Sequence, residues 1–223
     1  ERPRAAAVAA RHAQVAARLL PTRAPDTPPQ CLDLSACLTH SPGMLPGGEL
    51  SSLPVGHHVI DGTPFDLRGI LRLEATNYYG NHRRSGRWLP ASLPTSQARG
   101  IPVRRACHQL ALLHGVSDLE EAPGREVARW RVHYQDGGTA EFPIRHGIEV
   151  SAWRCRATDI ASAGALPPAW SARLPAPHDD TVSCLYKVVW TNPRPNEPVN
   201  RLDFLLPAGV QARPFVVAIT IDP

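Results

Sequence analysis

GHHVIDGTPFDLRGILRL, residues 56–73, is the stretch of sequence that decides the fold. After a short apolar piece and a turn, apolar residues and Gly69 occupy positions 65, 67, 69, 71 and 73, and Asp66, Arg68 and Arg72 alternate with them. A period of two predicts a half-buried strand that follows a tight turn. Because Asp66 and Arg68 share a face of this strand, we expect an ion pair or a cross-strand hydrogen bond there with an architectural role. We expect Gly69 to allow close packing.

The composition indicates a domain built from many short strands. The chain has 223 residues, of which 43% are hydrophobic and 20% are charged, which is enough for a sizeable core. Its 24 prolines are about twice the average usage of roughly 5%. Because proline interrupts helices and the hydrogen bonding of inner strands, this density excludes a helix-dominated fold.

Seven or eight strand candidates lie along the chain. The clearest is ARWRVHYQDGGTAEFPI at 128–144, where two alternating runs flank an Asp-Gly-Gly turn and predict a β-hairpin. Residues 101–116 predict one central strand covered on both faces, because both alternating sets are largely apolar near Leu110. The other candidates are CLDLSACL at 31–38 and the segments 147–153, 182–191, 199–206 and 215–221. Together they predict an all-β fold, an antiparallel β-sandwich or jelly roll with long loops.

An N-terminal extension precedes the strands. Residues 5–20, AAAVAARHAQVAARLL, are rich in alanine and carry a thin apolar stripe. This pattern predicts an α-helix that docks on the sandwich or on a partner. The prolines at 21, 25, 28 and 29 end the helix and predict a stiff linker. The predicted organisation is an N-terminal helix and proline-rich linker at 1–30, followed by the β-sandwich domain at 31–223.

Two long polar excursions, at about 75–100 and 154–181, interrupt the strand pattern. Loops of this length in a compact domain are often functional. Aromatic rings offer flat faces to sugars or to a partner's side chains, and arginines donate to carboxylates or phosphates. The same residue types are enriched at the hot spots of protein interfaces. The candidate residues for ligand or partner binding are Tyr78, Tyr79, Arg83, Arg84, Arg87 and Trp88 in the first excursion and Trp170 in the second.

Charge and hydropathy argue against nucleic-acid binding and against a transmembrane span. The net charge is +4 and the isoelectric point is near 9.0, but Lys187 is the only lysine and the arginines are spread along the chain. Without a basic run or a nucleic-acid-reading motif, we expect no nucleic-acid binding. No run of about 18 apolar residues exists, so we expect no transmembrane span. Because the chain begins at Glu1 rather than at Met, we expect a cleaved signal peptide or an anchor upstream.

The cysteines leave two alternatives open. They are five in number, Cys31, Cys37, Cys107, Cys155 and Cys184. An odd count without CxxC spacing argues against structural zinc and against c-type haem attachment. In an oxidising compartment Cys31 and Cys37 would be able to close a small loop. The favoured alternative is that the cysteines are buried free thiols that pack as small hydrophobes.

Three segments together resemble a known family of domains. They are LPVGHHVIDGTPFDLRGILRL at 53–73, ARWRVHYQDGGTAEFPIRHGIEVSAW at 128–153, and the C-terminal VVWTNPRPNEPVNRLDF with PFVVAITI. The set resembles β-sandwich domains of bacterial envelope, signalling and polysaccharide-active proteins. It is similar to galactose-binding-like jelly rolls and to carbohydrate-binding modules attached to glycoside hydrolases. The resemblance implies a jelly roll in an extracytoplasmic or glycan-related setting, and it carries no catalytic residue.

Motifs for the common enzyme chemistries are missing: the sequence has no GxSxG, HExxH, P-loop or GxGxxG. Glycoside hydrolysis needs two converging carboxylates, and the spacing selects no pair. The carboxylates considered are Asp61, Asp66, Glu74, Glu141, Glu149 and Asp203.

Metal binding is predicted only weakly by the sequence. Adjacent residues on a strand point to opposite faces, so His57 and His58 predict one interior and one solvated histidine rather than a metal site. His108 and His114 are interpreted in the same way. Asp179-Asp180 is the one candidate for a structural Ca²⁺, against the simpler interpretation of a solvated acidic pair. We expect no other cofactor.

The sequence therefore favours a non-catalytic interaction module. It would be a structural subunit of a larger extracytoplasmic or membrane-associated assembly, in the periplasm or at the cell surface, with a protein partner. The alternative is a carbohydrate-binding module that uses the aromatic and arginine loop at 75–100. A glycan-active hydrolase is the third hypothesis.

Overall fold

The chain folds into antiparallel β-sheets. The computed structural model describes residues 20–41, 52–75, 95–162, 164–174 and 180–222. Over these residues the protein is all-β, as predicted, and its architecture is consistent with a β-sandwich. The predicted helix at 5–20 lies outside the described residues except for Leu20. In the described part of the chain no helix is long and apolar enough to cross a membrane.

The described residues form twelve strands and one short helix. The strands are β1 (Gly56–Ile60), β2 (Thr63–Leu67), β3 (Leu71–Arg72), β4 (Gln97–Arg105), β5 (Gln109–Ser117), β6 (Glu126–Tyr134), β7 (Thr139–Arg145), β8 (Arg154–Arg156), β9 (Trp170–Arg173), β10 (Thr181–Thr191), β11 (Val199–Leu205) and β12 (Arg213–Asp222), and the helix is α1 (Ala157–Ile160).

Two sheets pack face to face around the main core. The six-stranded sheet has the order β3-β12-β5-β10-β8, and β9 also pairs with β10. The four-stranded sheet has the order β4-β11-β6-β7. Leu112 of the first sheet and Trp130 and Phe204 of the second meet in one buried cluster, where the rings of Trp130 and Phe204 stack with centroids 4.4 Å apart. The alternating residues of both sheets therefore supply the interior, as the period of two predicts.

A third layer, the β1–β2 hairpin, covers the outer face of the six-stranded sheet. Phe65 and Leu67 of the hairpin join Leu113 and Phe215 of the sheet in a second buried cluster. As a result β5 is buried on both faces along almost its whole length. Two-sided burial was predicted for a single strand at 101–116, but the structure corrects the strand count. The chain turns at residues 106–108 and passes from β4 in the four-stranded sheet to β5 in the six-stranded sheet.

The opening segment is also divided where a single strand was predicted. Asp61 and Gly62 have φ of 46° and 73°, and this left-handed pair joins β1 to β2 in a two-residue hairpin of the I′ kind. The chain then leaves the hairpin near Gly69, and Leu71 and Leu73 enter the main core instead of the outer cluster. A Cβ on Gly69 would lie 2.8 Å from Leu38 Cδ1 and 2.9 Å from the carbonyl oxygen of His40. The predicted close packing at this glycine is confirmed.

Several other strand predictions can be compared with the structure. The β6–β7 hairpin is confirmed around its four-residue connection, and β10, β11 and β12 match the three C-terminal candidates. The predicted strands at 31–38 and 147–153 are wrong, since these segments make turns and isolated bridges only. Leu32, Leu34 and Leu38 are nevertheless buried, so their apolar spacing reflects packing onto the core without a hydrogen-bonded ladder.

The N-terminal described segment is joined by ion pairs to two buried charges, Asp66 of β2 and Arg68 just after it. Arg68 Nε donates to Asp66 Oδ2 at 2.9 Å and Arg68 Nη2 donates to Asp33 Oδ1 at 2.5 Å. Arg23 Nη1 lies 3.6 Å from Asp66 Oδ2, and Arg23 Nη2 donates to the carbonyl oxygen of Cys31. The predicted Asp66–Arg68 pair is confirmed, and both side chains are buried because residues 23–33 lie over them. The predicted division of the chain at residue 30 stays a prediction.

The pKa of Asp33 is lowered by these contacts. Burial acts to raise the pKa of Asp33, but hydrogen bonds from Ser35 and Arg68 outweigh it and lower the pKa to about 2. The carboxylate is therefore ionised at neutral pH and serves as a fixed anion for Arg68.

Candidate functional site at the loop end of the sandwich

Both long excursions depart from the same end of the sandwich, which we call the loop end. The first leaves after β3, where Arg72 pairs with Phe215 near the start of β12. It returns to the first residue of β4, Gln97, which pairs with Leu205 at the end of β11. Because β11 leads into β12 at this end, the departure and the return of the first excursion lie at one end of the molecule.

The second excursion begins at that end as well. Strand β10 pairs Tyr186 with His114 of β5 and extends beyond β5 to Thr181, which pairs with Arg156 of β8. The second excursion, predicted at about 154–181, starts with β8. The structure shows that it contains β8, α1 and β9, so this excursion is partly ordered into regular elements rather than being a plain loop.

Of the predicted site residues, one lies among the residues that the structure describes and the other six lie outside them. Tyr78, Tyr79, Arg83, Arg84, Arg87 and Trp88 lie outside the described residues, and their role stays a prediction. Trp170 is described: it begins β9, pairs with Leu185 of β10 and is half-buried against the outer cluster. Its indole therefore contributes to packing as well as to the surface.

The two ends of the first excursion are held together at their base. The amide of Glu74 donates to the carbonyl oxygen of Thr95 at 2.9 Å. The amide of Leu206 donates to the carbonyl oxygen of Ser96 at 2.9 Å. The excursion therefore leaves and rejoins the sandwich at one fixed point, which is the arrangement of a loop presented by a rigid scaffold.

A cluster of buried charges lies directly beneath this point. Arg72 Nη2 and Glu74 Oε1 are 2.6 Å apart, and their side chains are only 3% and 5% exposed. Arg213 Nε lies 3.0 Å from Asp118 Oδ2 and 3.9 Å from Glu74 Oε1. Buried ion pairs contribute to stability only when each charge keeps its partners, so this cluster fixes the backbone on both sides of the loop base. The alternating pattern assigned Arg72 to a polar outer face and did not predict its burial.

Beside the second excursion the loop end holds an open cavity of about 290 Å³. Its lining includes Ser151, Cys155, Asp159, Leu166 and Tyr186. The hydroxyl of Tyr186 donates to the carbonyl oxygen of Ala152 at 3.1 Å. The cavity thus combines an apolar wall with a thiol, a phenol and one carboxylate.

Two of the five thiols meet at this cavity. Cys155 Sγ and Cys184 Sγ are 3.1 Å apart. Cys155 is half-buried, whereas Cys184 is fully buried. Burial raises the pKa of both thiols above the ordinary value. The cysteines are 29 residues apart in the chain, and no local spacing in the sequence indicates that they touch.

Cys31 and Cys37, which were considered as a possible disulfide, contact different groups. Cys31 Sγ faces the carbonyl oxygen of Pro64 at 3.5 Å, while Cys37 Sγ donates to the carbonyl oxygen of Leu34 at 3.1 Å. All five thiols are free in the structure. The two N-terminal cysteines therefore make separate contacts rather than a closed loop.

The open face of the four-stranded sheet carries a network of ion pairs. Glu141 Oε1 accepts from Arg131 Nε at 2.6 Å and its Oε2 accepts from Arg129 Nη1 at 3.0 Å. On the neighbouring strand, Asp203 accepts from the amide of Gly100 at 2.9 Å and contacts His133 Nε2 at 2.8 Å. Burial acts to raise the pKa of Asp203, but these two contacts outweigh it and lower the pKa. The face is polar, and its charged side chains contact one another.

The six carboxylates considered for hydrolysis all have partners within the fold. Each lies against a basic side chain: Asp61 with Lys187, Asp66 with Arg68, Glu74 with Arg72, Glu141 with Arg129 and Arg131, Glu149 with Arg145, and Asp203 with His133. Each of the six carboxylates therefore has a basic neighbour in the described structure.

The histidines follow the prediction only in part. His114 is buried and contacts the carbonyl oxygen of Glu149 at 2.9 Å, while His108 is exposed, as predicted for that pair. His57 is exposed, but His58 is half-exposed and contacts the carbonyl oxygen of Val55 at 3.0 Å. The predicted interior position is wrong for His57 and His58, because their hairpin is the outermost layer.

The calcium candidate stays a prediction. Asp179 lies outside the described residues, and Asp180 is exposed, with its carbonyl oxygen accepting from the amide of Ala157 at 3.1 Å. Among the described residues no group of three or more histidine, cysteine, aspartate or glutamate side chains is placed to hold a metal ion.

At the opposite end the connections are short and tied together. The hydroxyl of Tyr134 donates to Asn192 Oδ1 at 2.6 Å, and Asn192 Nδ2 donates to the carbonyl oxygen of Cys107 at 2.8 Å. Arg194 Nη2 pairs with Asp136 Oδ2 at 2.5 Å, and its guanidinium lies over the ring of Tyr134. A second cavity, of about 280 Å³, lies near Pro64, Thr220 and Asp222.

Together these features define an all-β domain with antiparallel sheets, in which both long connections leave and rejoin the sheets at one end, beside a buried charge cluster. No protein-family model matches the chain, and no curated protein matches it.

Proposed function

We propose that the chain is a non-catalytic interaction module that binds a protein partner through its loop end. The observation that carries this proposal is the gathering of both excursions at one end, with the first clamped at its base above Arg72, Glu74 and Arg213. A rigid sandwich that fixes the stem of a long loop is suited to presenting that loop for binding. The binding residues would be the aromatic and arginine side chains at 78–88.

Several observations support a structural role over a catalytic one. The six candidate carboxylates each lie against a basic side chain within the fold. The loop-end cavity is lined by one carboxylate, Asp159, and the second cavity by one, Asp222. Hydrolysis of a glycoside uses two carboxylates across one cleft, so neither cavity offers that pair among its described residues.

The position of the aromatic side chains bears on the glycan alternative. The large hydrophobic side chains exposed in the described part of the chain are all aliphatic: Val55, Val59, Ile148 and Val189. Sugar rings stack on exposed aromatic faces. A carbohydrate-binding site would therefore draw its stacking platform from the half-buried Trp170 or from Tyr78, Tyr79 and Trp88, the same residues that would contact a protein.

In its finer detail the proposal places the domain among galactose-binding-like jelly rolls, and in a larger extracytoplasmic or membrane-associated assembly. Two observations support this placement: the resemblance of the three sequence segments, and the antiparallel sheets of the structure. The protein would act there as a structural subunit.

The test is capture of the partner by the full chain, with substitutions at the loop end. Envelope extracts of the source organism are cross-linked with the tagged chain, its Tyr79→Ala/Trp88→Ala variant and a Val59→Ala control, which removes an exposed apolar side chain from the outer hairpin. We expect one stoichiometric partner with the parent and the control, and loss of that partner with the loop variant.

Two outcomes would contradict the proposal. One is a parent chain that stays monomeric without a stoichiometric partner. The other is retention of the parent by immobilised polysaccharide in affinity electrophoresis that the loop variant loses, which would assign the loop to glycan binding.

A further inference from the structure

We propose that Cys155 and Cys184 are a redox-active dithiol that closes to a disulfide on the wall of the loop-end cavity. The proposal rests on the contact of their sulfur atoms, on the different exposure of the two thiols and on the access that the cavity provides. It does not depend on partner binding.

The sulfur atoms are almost close enough to bond. Their separation is 3.1 Å, and a disulfide bond measures about 2.05 Å, so each sulfur has to move by about 0.5 Å. Cys155 of β8 lies opposite Val182 of β10 in the antiparallel pairing. Cys184 is two residues beyond Val182 and therefore on the same face of β10. Cys184 and Val182 both belong to the main core, and Cys155 packs against it. Both side chains therefore point to the same side of the sheet.

A metal site fits this pair less well. Zinc binds cysteine sulfur at about 2.3 Å in a tetrahedral set of four ligands, which would hold two sulfurs nearly 4 Å apart. The described residues also supply no group of three or more ligands for a metal ion. The geometry favours direct bonding between the two sulfurs.

The cavity decides which thiol reacts first. Cys155 is half-buried and lines the cavity, whereas Cys184 has no exposed surface. A small disulfide such as oxidised glutathione can therefore reach Cys155 only. The Cys155 thiolate attacks one glutathione sulfur, forms a mixed disulfide and releases one glutathione thiol. The Cys184 thiolate then attacks the Cys155 sulfur, closes the protein disulfide and releases the second glutathione thiol.

The two protons of the protein thiols leave to solvent and are taken up by the glutathione thiolates, so the reaction balances as dithiol plus disulfide to disulfide plus two thiols. Burial raises the pKa of both cysteines. Because the thiolate is the attacking species, we expect closure to be slow near neutral pH and to accelerate as pH rises.

The experiment uses the full chain, reduced and then exposed to excess oxidised glutathione before free thiols are blocked with N-ethylmaleimide. The expected product has two thiols fewer to block, an intact mass lower by about 2 Da before blocking, and a cross-linked peptide pair that contains Cys155 and Cys184. Because the disulfide would close a loop of 29 residues, we expect the melting temperature to rise by roughly 5–10 °C.

The variants should separate the two steps. Cys184→Ser should accumulate a stable glutathione adduct on Cys155, because the resolving thiol is gone. Cys155→Ser should acquire neither the adduct nor a disulfide at Cys184. Cys37→Ser is the matched control and should close the disulfide like the parent.

Peptide mapping of the parent decides the matter even if a variant fails to fold. A stable glutathione adduct on Cys155 of the parent, a Cys31–Cys37 disulfide in place of Cys155–Cys184, or two unreacted thiols after prolonged oxidation at alkaline pH would each overturn the proposal.

Discussion

The burial of His114 should make the fold sensitive to mild acid. Burial lowers the pKa of His114 from an ordinary value of 6.5 to about 4, although its contact with the Glu149 carbonyl oxygen acts in the opposite direction. A histidine with a lowered pKa stabilises the fold in its neutral form. Its contribution is complete above pH 6.5, is lost progressively as pH falls from 6.5 to about 4, and does not change further below that. The gap between the two pKa values corresponds to a loss of about 3 kcal/mol for this one residue.

The assay is urea denaturation at pH 7, 6, 5 and 4.5, followed by intrinsic tryptophan fluorescence. His114→Gln keeps a side-chain donor near the Glu149 carbonyl oxygen but removes the titrating ring. We expect this variant to lose stability at pH 7 and to show a shallower decline toward pH 4.5 than the parent, by about 2–3 kcal/mol. His108→Gln is the matched control, because His108 is exposed near the start of the same strand.

His40 contributes in the same direction. Its ring is fully buried, and burial together with the charge of Arg72 lowers its pKa to about 3. Part of the acid sensitivity should therefore persist in His114→Gln. If the parent, His114→Gln and His108→Gln lose stability in parallel between pH 7 and pH 4.5, the assignment of the decline to His114 is refuted.

Three further substitutions test the packing, the short end and the open face. Gly69→Ala places a methyl group against Leu38 and the His40 backbone, and we expect a loss of about 1–3 kcal/mol in urea; an unchanged midpoint would contradict the close packing. Asn192→Ala leaves the Tyr134 hydroxyl without its acceptor, and we expect a loss of about 2–3 kcal/mol, well above that of an exposed asparagine. Glu141→Gln should cost less than about 1 kcal/mol because its ion pairs are partly exposed, and the difference should shrink at high salt.

Local patterning predicted most of the strands but not their distribution among layers. The β6–β7 hairpin and the three C-terminal strands follow from alternation and turn residues, which are local signals. Residues 56–73 carry the same alternation, yet the chain changes layer near Gly69, so that Phe65 and Leu71 lie in different cores. Alternation reports which face of a strand is buried, and it carries no information about which sheet covers that face.

Burial of charge was the second feature that local patterning missed. Arg72 has the position of an outward-facing residue on a half-buried strand, but it lies in the interior beside Glu74. Glu74 also lies 3.9 Å from Arg213, which is more than a hundred residues further along the chain. A long-range contact of this kind has no signature in spacing or composition. The Cys155–Cys184 contact was missed for the same reason. The excursions were predicted from their lack of a strand pattern, but β8, β9 and the first residues of β4 lie within their predicted bounds.

The contacts that hold the connections in place lie at different depths at the two ends of the sandwich. At the short end, Tyr134, Asn192 and the Arg194–Asp136 pair tie neighbouring connections to each other, so that the chain has little freedom there. At the loop end the ties lie below the surface, in the Arg72–Glu74 cluster. Closure of a Cys155–Cys184 disulfide would add a tie between β8 and β10, where the second excursion starts. Oxidation should therefore restrain the second excursion where it leaves β8, while leaving the short end unchanged.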